Sequence, residues 1–434
     1  MKAKIPSTNL PRILIVGGGF GGIKLAQTLK KQPFQVVLVD RNNYHTFQPL
    51  LYQVATGGLE PDSIAFPLRK MFSKQENLIF RMCEVERIEH EVKVAYTNIG
   101  EIAYDYLVLS TGSETNFFGM TELEAHAVGM KTIPESLDLR SMILQNFEQY
   151  LQEHDEDDRE DLIKFVVVGG GPTGVETAGA LAELKKHVLP ADYPELDLRQ
   201  MEIHLIQAGD QLLAGMSEKS SEDALESLEK MGVHVWLNHR VTGYDGEELS
   251  TKEGRKFEAS TVIWAAGIKG DVPEGIDESF MARGTRLKVD RYNRVEGLDD
   301  IFAIGDVASM ITEKYPYGHP QVAQAAIQQG ENLGKNLRRI KKGAPLKEFS
   351  YYDKGSMATI GRNKAVVDLK KMHVKGRLAW IMWMFVHLLF LIGFRNKAVV
   401  FINWVWSYFT YDKGTRVIIR PYRKRKRKEV VLSN

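Results

Sequence analysis

Two short glycine clusters carry the most readable chemistry in this chain. Gly17, Gly19 and Gly22 follow the apolar run Ile13-Leu14-Ile15-Val16, and Gly169, Gly171 and Gly174 follow Val166-Val167-Val168. Each set matches G-x-G-x-x-G, lying between a strand-like run and a helical pattern. In such a turn the first glycine permits the tight bend and the second lets a pyrophosphate approach the backbone. The third lets helix and strand pack closely, and the helix N-terminus stabilises the phosphate charge. One match alone is weak, because glycine-rich turns are common. Two in this context predict two dinucleotide sites, and so two redox carriers able to exchange electrons.

The elements that must position these loops follow from the pattern around them. Arg12–Val16 reads as a buried strand, 22–31 as a helix, and Gln35 to Val39 as a second strand closed by Asp40. An acidic residue roughly twenty positions after the first glycine accepts both ribose hydroxyl hydrogens and repels a 2′-phosphate. The competing reading, a solvated turn aspartate, is the weaker one beside those glycines. The connection 41–59 is rich in aromatic and amide groups, Tyr44, His45, Phe47, Gln48, Tyr52 and Gln53 among them. It reads as either a site-lining segment or ordinary packing. Further strands are expected within 79–97 and at 104–109, the latter ending in Ser110-Thr111-Gly112. Beyond a helix at 133–153, the acidic run 155–161 reads as a solvated connector. The second loop leads into a helix at 174–189. Strands follow at 202–206, 233–237, 261–265 and 301–304, with a helix at 217–231 capped by Ser217 and another at 321–329.

Composition narrows the classes. The chain has 434 residues, 44% of them hydrophobic, a net charge of +1 and a single cysteine, Cys83. One cysteine excludes an internal disulfide and any mechanism that needs a dithiol, and it fits a reducing compartment. No signal-peptide core precedes the first strand, and no metal-ligand spacing stands out.

The C-terminal part changes character. Residues 378–394 and 398–411 carry no charge, and they hold Trp380, Trp383, Trp404 and Trp406 of the six tryptophans, with His387 in the first run. Each run is shorter than the ~20 residues that span a bilayer. Amphipathic rings with flanking basic groups mark a segment lying in the membrane interface. The cluster from Arg420 to Lys428 would add attraction to anionic lipid. A dimer interface for the apolar runs, and a solvated or nucleic-acid-binding tail, are the competing readings; adjacency of the two features favours membrane and no nucleic acid.

In order, the chain shows the first glycine cluster, Ser110-Thr111-Gly112, the second cluster leading to Glu176, Ala265-Ala266-Gly267 and Gly305-Asp306. Over nearly its whole length it resembles the two-dinucleotide-binding-domain flavoproteins. Three details narrow the resemblance to type II NADH:quinone oxidoreductases. Glu176 stands just past the third glycine. Ala323-Gln324-Ala325-Ala326-Ile327-Gln328 matches the A-Q-x-A-x-Q motif of that family, and the tryptophan-rich tail is similar to its membrane-anchoring end. The glycine fingerprints alone reach only the superfamily.

The resemblance implies an α/β fold with two Rossmann-like domains and a C-terminal membrane-anchoring helical segment. It puts the FAD domain at 1–120 and 273–345, the NAD(P)H domain at 121–272 and the anchor with its basic tail at 346–434. FAD would be held by Gly17, Gly19, Phe20, Gly22, Asp40, Arg41, Val85, Thr111, Gly112, Asp306, Ala323 and Gln324. NADH would be held by Gly169, Gly171, Pro172, Thr173, Gly174, Glu176, Gln207 and Gly267. Gln324 and Gln328 would meet a membrane quinone, as would His387 unless it is structural; glutamines donate and accept without charging an apolar path. Glu176 would orient the nicotinamide carboxamide or relay a proton, its ordinary alternative being a helix-capping carboxylate. The implied activity is NADH oxidation with two-electron reduction of quinone, without proton pumping, at the cytoplasmic face of the inner membrane, as a peripheral and monotopic enzyme that can pair as a homodimer.

One departure bears on cofactor choice. Gln207 stands where an acid is expected after the strand 202–206, so NADH is expected to be preferred and NADPH used more weakly. Sulfide:quinone oxidoreductases share the domain plan but need paired cysteines. A ferredoxin- or rubredoxin-reductase-like enzyme leaves the tail without a purpose. A non-catalytic flavin redox sensor is separated by whether NADH bleaches the flavin.

Overall fold

A computed structural model describes residues 1–370, 372–411 and 414–422. The basic cluster from Arg423 onward lies outside the described residues. The chain divides into two compact units.

The first unit comprises Met1–Thr46, Ala65–Glu114 and Ile268–Lys354. Its centre is a five-stranded parallel sheet in the spatial order Ile301–Ala303, Tyr106–Leu109, Arg12–Val16, Gln35–Asp40, Leu78–Met82. Successive side chains of a strand face opposite sides, so a strand covered on both faces is apolar throughout. Leu14, Val37 and Leu107 face a core shared with the antiparallel strands of this unit. Ile13, Ile15, Val36 and Phe302 face the helices Phe20–Thr28 and Ala323–Lys341. The second helix runs ten residues and more beyond the expected 321–329, because Leu333 and Leu337 continue its buried stripe. The two helices cross at glycine: a Cβ on Gly330 would lie 2.4 Å from the Gly21 carbonyl oxygen. Cys83 is buried in the same unit.

The second unit gathers Phe47–Ile64, Thr115–Gly267 and the chain from Gly355 on. Its parallel sheet has the order Val128–Gly129, Thr261–Trp264, Lys164–Val168, Glu202–Ile206, His234–Trp236. The helix Pro172–Glu183 starts two residues earlier than expected, with proline at its first position, where a missing N–H costs nothing. It runs through a π turn at Leu184–Val188 into Leu189–Asp192. The helix Glu218–Lys230 is capped by Ser217, as expected. The acidic run is not a connector but a short helix, Glu156–Leu162, anchored by the buried Leu162 next to the strand that follows.

Among the described residues, those from Gly355 on form no unit of their own. The strands Ser356–Gly361 and Lys364–Leu369 and a third at Met372–Lys375 make an antiparallel sheet, and Ser356–Gly361 lies on the nucleotide-domain helix Pro172–Glu183. Contact is direct: a Cβ at Gly179 would sit 1.8 Å from the Ile360 carbonyl oxygen. The helix Gly376–Phe390 packs Ala379 against Ala365 and Val367. After a turn at Gly393 the helix Phe394–Thr410 follows. Among the described residues no helix is long and apolar enough to cross a membrane. Residues 47–64 also belong to this unit, with Leu51, Tyr52, Val54 and Ala55 buried along the helix Leu51–Ala55.

Candidate functional site

The two glycine loops have the same construction. Gly17 (φ +106°) and Gly169 (φ +115°) occupy backbone that favours glycine, and a Cβ there would lie 2.3 Å from Ser110 O and 2.5 Å from Ala265 O. The third glycines press on the first: a Cβ at Gly22 would be 2.0 Å from Gly17 O, and one at Gly174 1.8 Å from Gly169 O. The middle glycines, Gly19 and Gly171, have no atom within 4 Å of that point, so each loop presents open backbone to a ligand. Both serve as N-caps without any side-chain cap, and Ala323 likewise starts its helix without one. Elsewhere, Thr132 and Glu135 form a capping box. Uncapped N–H groups at a glycine cradle suit a phosphate, so the residues fit a dinucleotide in each unit.

The residue at the end of the second strand braces each loop. Gly18 N–H donates to Asp40 Oδ2 at 2.6 Å, and Asn42 N–H donates to Oδ1 at 2.7 Å. Burial pushes the Asp40 pKa up, against those amides and the charge of Arg41. In the second unit Gly170 N–H donates to Gln207 Oε1 at 2.9 Å. An amide oxygen thus does there what a carboxylate does in the first loop, and Gln207 keeps two N–H groups and no charge.

The other residues assigned to FAD lie in the first unit. Phe20 meets His45 edge to face at 4.8 Å. His45 is buried with Nδ1 3.1 Å from Gly18 O, and burial lowers its pKa to about 4, so it is neutral at pH 7. Arg41 pairs with Asp271 at 3.3 Å, and Thr111 Oγ1 donates to the Asp271 carbonyl. Gly112 adopts φ +81° with open space around it. Val85 starts the strand Val85–Glu89. Asp306 Oδ2 accepts from Ser113 Oγ at 2.8 Å. Gln329, which the motif reading passed over, is buried and accepts the Gly305 N–H at 2.7 Å.

The two motif glutamines hold backbone. Gln328 Nε2 donates to Tyr352 O at 2.9 Å and its Oε1 accepts from Tyr352 N–H at 3.0 Å; Gln324 Oε1 accepts from Lys354 N–H at 3.0 Å. They fix the chain at 352–354 to the first turns of the helix Ala323–Lys341. In the second unit Gly267 O accepts from Asn116 N–H at 3.0 Å, and Pro172 and Thr173 form the first turn after Gly171.

A cavity of about 110 Å³ opens within the second unit, and Glu176 lines it. Helical spacing places Ala180 and Glu183 on the same face, one and two turns on. Tyr52 and Gln53, Thr359 and Trp383 close in from three other segments. Glu176 is buried and its Oε1 accepts the Thr359 N–H at 3.3 Å. Burial lifts its pKa to about 8; the Thr359 amide and the nearby Trp383 indole oppose that shift. Trp383 Nε1 nevertheless lacks a hydrogen bond of good geometry among the described residues, so its help to the carboxylate is slight. A polar chain also runs along the cavity wall: Trp404 Nε1 donates to Gln53 Oε1 at 2.8 Å, and Gln53 Nε2 donates to Tyr52 Oη at 2.8 Å. Burial, with the Glu176 and Glu183 charges, raises the Tyr52 pKa well above its usual value.

Gln324, Gln328 and His387 are not among the residues lining this cavity. His387 is buried, stacks on Trp383 at 4.1 Å and places Nδ1 2.7 Å from Trp383 O. Burial lowers its pKa to about 4. Of the segment 41–59, left open in the sequence between site-lining and ordinary packing, Tyr52, Gln53, Thr56 and Gly58 lie in the cavity wall beside Glu176. Thr359 and Arg362, which carry no motif, join that wall only through a long-range packing contact.

Fold and paired loops define a pyridine-nucleotide flavoprotein, and the comparisons agree. Residues 11–330 match the family model described as pyridine nucleotide-disulphide oxidoreductase, and residues 353–410 match the NDH2 C-terminal domain. A type II NADH:quinone oxidoreductase, Ndh, of Mycobacterium tuberculosis is 34% identical over 426 residues, covering 94% of this chain and 90% of that protein. One from Haemophilus influenzae is 30% identical over 391 residues, covering 83% and 87%. The solved structure of Plasmodium falciparum NDH2 in complex with NADH has a TM-score of 0.85 over 94% of this chain and 100% of that one, at 22% identity. Sulfide:quinone oxidoreductase of Aquifex aeolicus reaches 0.71 over 92% and 95%, at 20% identity, and like the preceding structure attests the fold alone. The chain belongs to the type II NADH:quinone oxidoreductase family.

Proposed function

We propose that this chain oxidises NADH and passes two electrons to a quinone, with FAD at the first glycine loop, NADH at the second and the quinone ring in the cavity lined by Glu176. The observation that carries this reading is the position of Glu176. It stands just past the third glycine of the second loop and faces an aromatic cavity, with a carboxyl that keeps its proton to about pH 8. The net reaction is NADH + H⁺ + quinone → NAD⁺ + quinol.

Bound flavin would supply the two-electron chemistry. The chain supplies positions and a proton. Gly17, Gly19 and Gly22 receive one pyrophosphate, and Gly169, Gly171 and Gly174 the other. Asp40 serves the FAD ribose while bracing its loop. Gln207 braces the second loop without a charge to repel a 2′-phosphate. Protonated Glu176 donates to a quinone oxygen, and it regains its proton from solvent. No group in this scheme couples electron flow to proton transport.

The apolar face of the last two helices fits a membrane surface. Phe385, Leu389, Phe394, Phe401, Ile402 and Phe409 are each more than half exposed. Single exposed apolar residues are ordinary, but their recurrence along two successive helices marks an interaction surface. Helices that do not span suit peripheral attachment, which this reading places on the cytoplasmic face, where both substrates are within reach.

Mixing the yellow protein with NADH in a stopped-flow cell, and then with a soluble quinone analogue, tests the reading. Bleaching by NADH followed by re-oxidation by quinone is expected. A flavin that NADH does not bleach excludes the enzyme, and a bleached flavin that only a redox protein re-oxidises replaces the quinone with a protein acceptor.

A further inference from the structure

Arg362 is the cationic group in the wall of the cavity that no motif points to. It follows the strand Ser356–Gly361, at the tip of a hairpin where Asn363 takes φ +60°. Its backbone N–H donates to the Glu183 carboxylate, which fixes the hairpin tip beside the last turn of the helix that carries Glu176. Its guanidinium lies 4.3 Å from the centroid of Tyr408 and 3.9 Å from that of Tyr411. Two aromatic faces hold the plane of the cation and its long side chain loses its freedom before any ligand arrives. Yet Nε and Nη1 are buried with no hydrogen-bond partner among the described residues. Buried N–H donors normally find an acceptor. Here the packing that orients the fork leaves two of its donor nitrogens, with three N–H groups, unused in a side chain that lines the cavity.

We propose that Arg362 binds a carbonyl oxygen of the quinone ring in this cavity and stabilises the negative charge that grows there as the ring is reduced. The inference rests on the quinone reading above. A quinone has two carbonyl oxygens, and the cavity offers two donors of different kinds. Glu176 brings a proton that it can give away; Arg362 brings a charge that it cannot lose. Two electrons reach the ring from NADH, one oxygen takes the Glu176 proton and the other is held by the guanidinium until solvent protonates it, which completes the quinol. Charge on an oxygen strengthens a hydrogen bond from a cation, so the contribution of Arg362 is larger in the transition state than in the bound quinone.

Arg362→Gln and Arg362→Lys, made in the full-length flavin-loaded protein, test this by separating the two half-reactions. With Arg362→Gln, re-oxidation of the flavin by a soluble quinone analogue should fall on the order of 10²-fold, while bleaching by NADH stays within twofold. Arg362→Lys keeps the charge and loses the planar fork, so it should recover part of the loss. Quinone binding, read from quenching of the tryptophans in the cavity wall, should weaken by a smaller factor than the rate. A rate of re-oxidation within twofold of wild type in Arg362→Gln overturns the proposal. So does an equal loss in both half-reactions, which would mark Arg362 as a packing residue. Tyr408→Leu guards against a variant that fails to fold: with flavin content intact, it should slow re-oxidation and leave bleaching unchanged, and no effect on either step counts against the stacked cation. Failure of the parent reading is told apart at once, because wild-type flavin would then bleach with NADH and not re-oxidise with quinone.

Discussion

A carboxyl that holds its proton to about pH 8 works as an acid at neutral pH, and Glu176 is such a group. Replacing it with Gln keeps the shape and the neutral charge but removes the proton. Quinone reduction should fall on the order of 10²-fold, and the loss of activity that wild type shows as pH rises through about 8 should vanish from the pH profile. Stability should carry the same signature. The folded protein retains a proton that the unfolded chain releases near its ordinary value of 4.5. The stabilisation from this group is therefore complete below about 4.5 and drains away as pH rises to about 8. Melting curves of Glu176→Gln should gain on wild type across that window, and a constant difference would mean that Glu176 ionises freely. At the strand end of the second loop, Gln207→Glu keeps an oxygen for Gly170 N–H and adds a charge. Like charges ~4 Å apart repel by ~1 kcal/mol or more, and the new carboxylate would repel the 2′-phosphate, so the ratio of kcat/KM for NADH over NADPH should rise on the order of tenfold. An unchanged ratio removes Gln207 from cofactor choice.

Among elements, the helix Pro172–Glu183 does the most. Its uncapped start is where the proposed reading seats the nucleotide, its first turns carry Glu176 and its flank packs on the strand Ser356–Gly361. Gly179 makes that last contact possible, since a Cβ would stand 1.8 Å from the Ile360 carbonyl. Gly179→Ala should cost about 1–3 kcal/mol by overpacking and shift Ile360 and Arg362 with it. Thermal unfolding reads the first effect and the quinone KM the second; a variant with both unchanged would show that the sheet yields freely. The same helix marks how far the sequence could be read. Glycine loops, Asp40 and the Ser217 cap were legible because each is set by neighbours in the chain. Gln324 and Gln328 were legible as a motif, but their hydrogen bonds to the backbone at 352–354 were not, because a motif records a residue type and not what the side chain touches. Thr359 and Arg362 were illegible because only packing of distant segments carries them to Glu176.

For the whole molecule, the attachment of residues from Gly355 on to the second unit changes how membrane binding must be tested. Deleting the chain from Leu378 would also remove Trp380, Trp383 and Trp404 from the cavity wall, confusing attachment with catalysis. Phe385→Asp with Phe409→Asp changes side chains that are 66% and 77% exposed and leaves that wall intact. The double variant should float free of anionic vesicles in a flotation gradient and still reduce a soluble quinone analogue; co-flotation at the wild-type level would place the membrane contact elsewhere. Testing whether those helices enter a bilayer, and how far, is simple in this chain. Cys83 is the sole cysteine and is buried, and burial pushes its thiol up to about 11, so it stays a poor nucleophile at neutral pH. The protein is therefore already a blank background for thiol labelling. A cysteine placed at Phe401 or Ile402 would take a spin label or fluorophore alone, and its accessibility to lipid-soluble and water-soluble quenchers would give the immersion depth of the helix residue by residue.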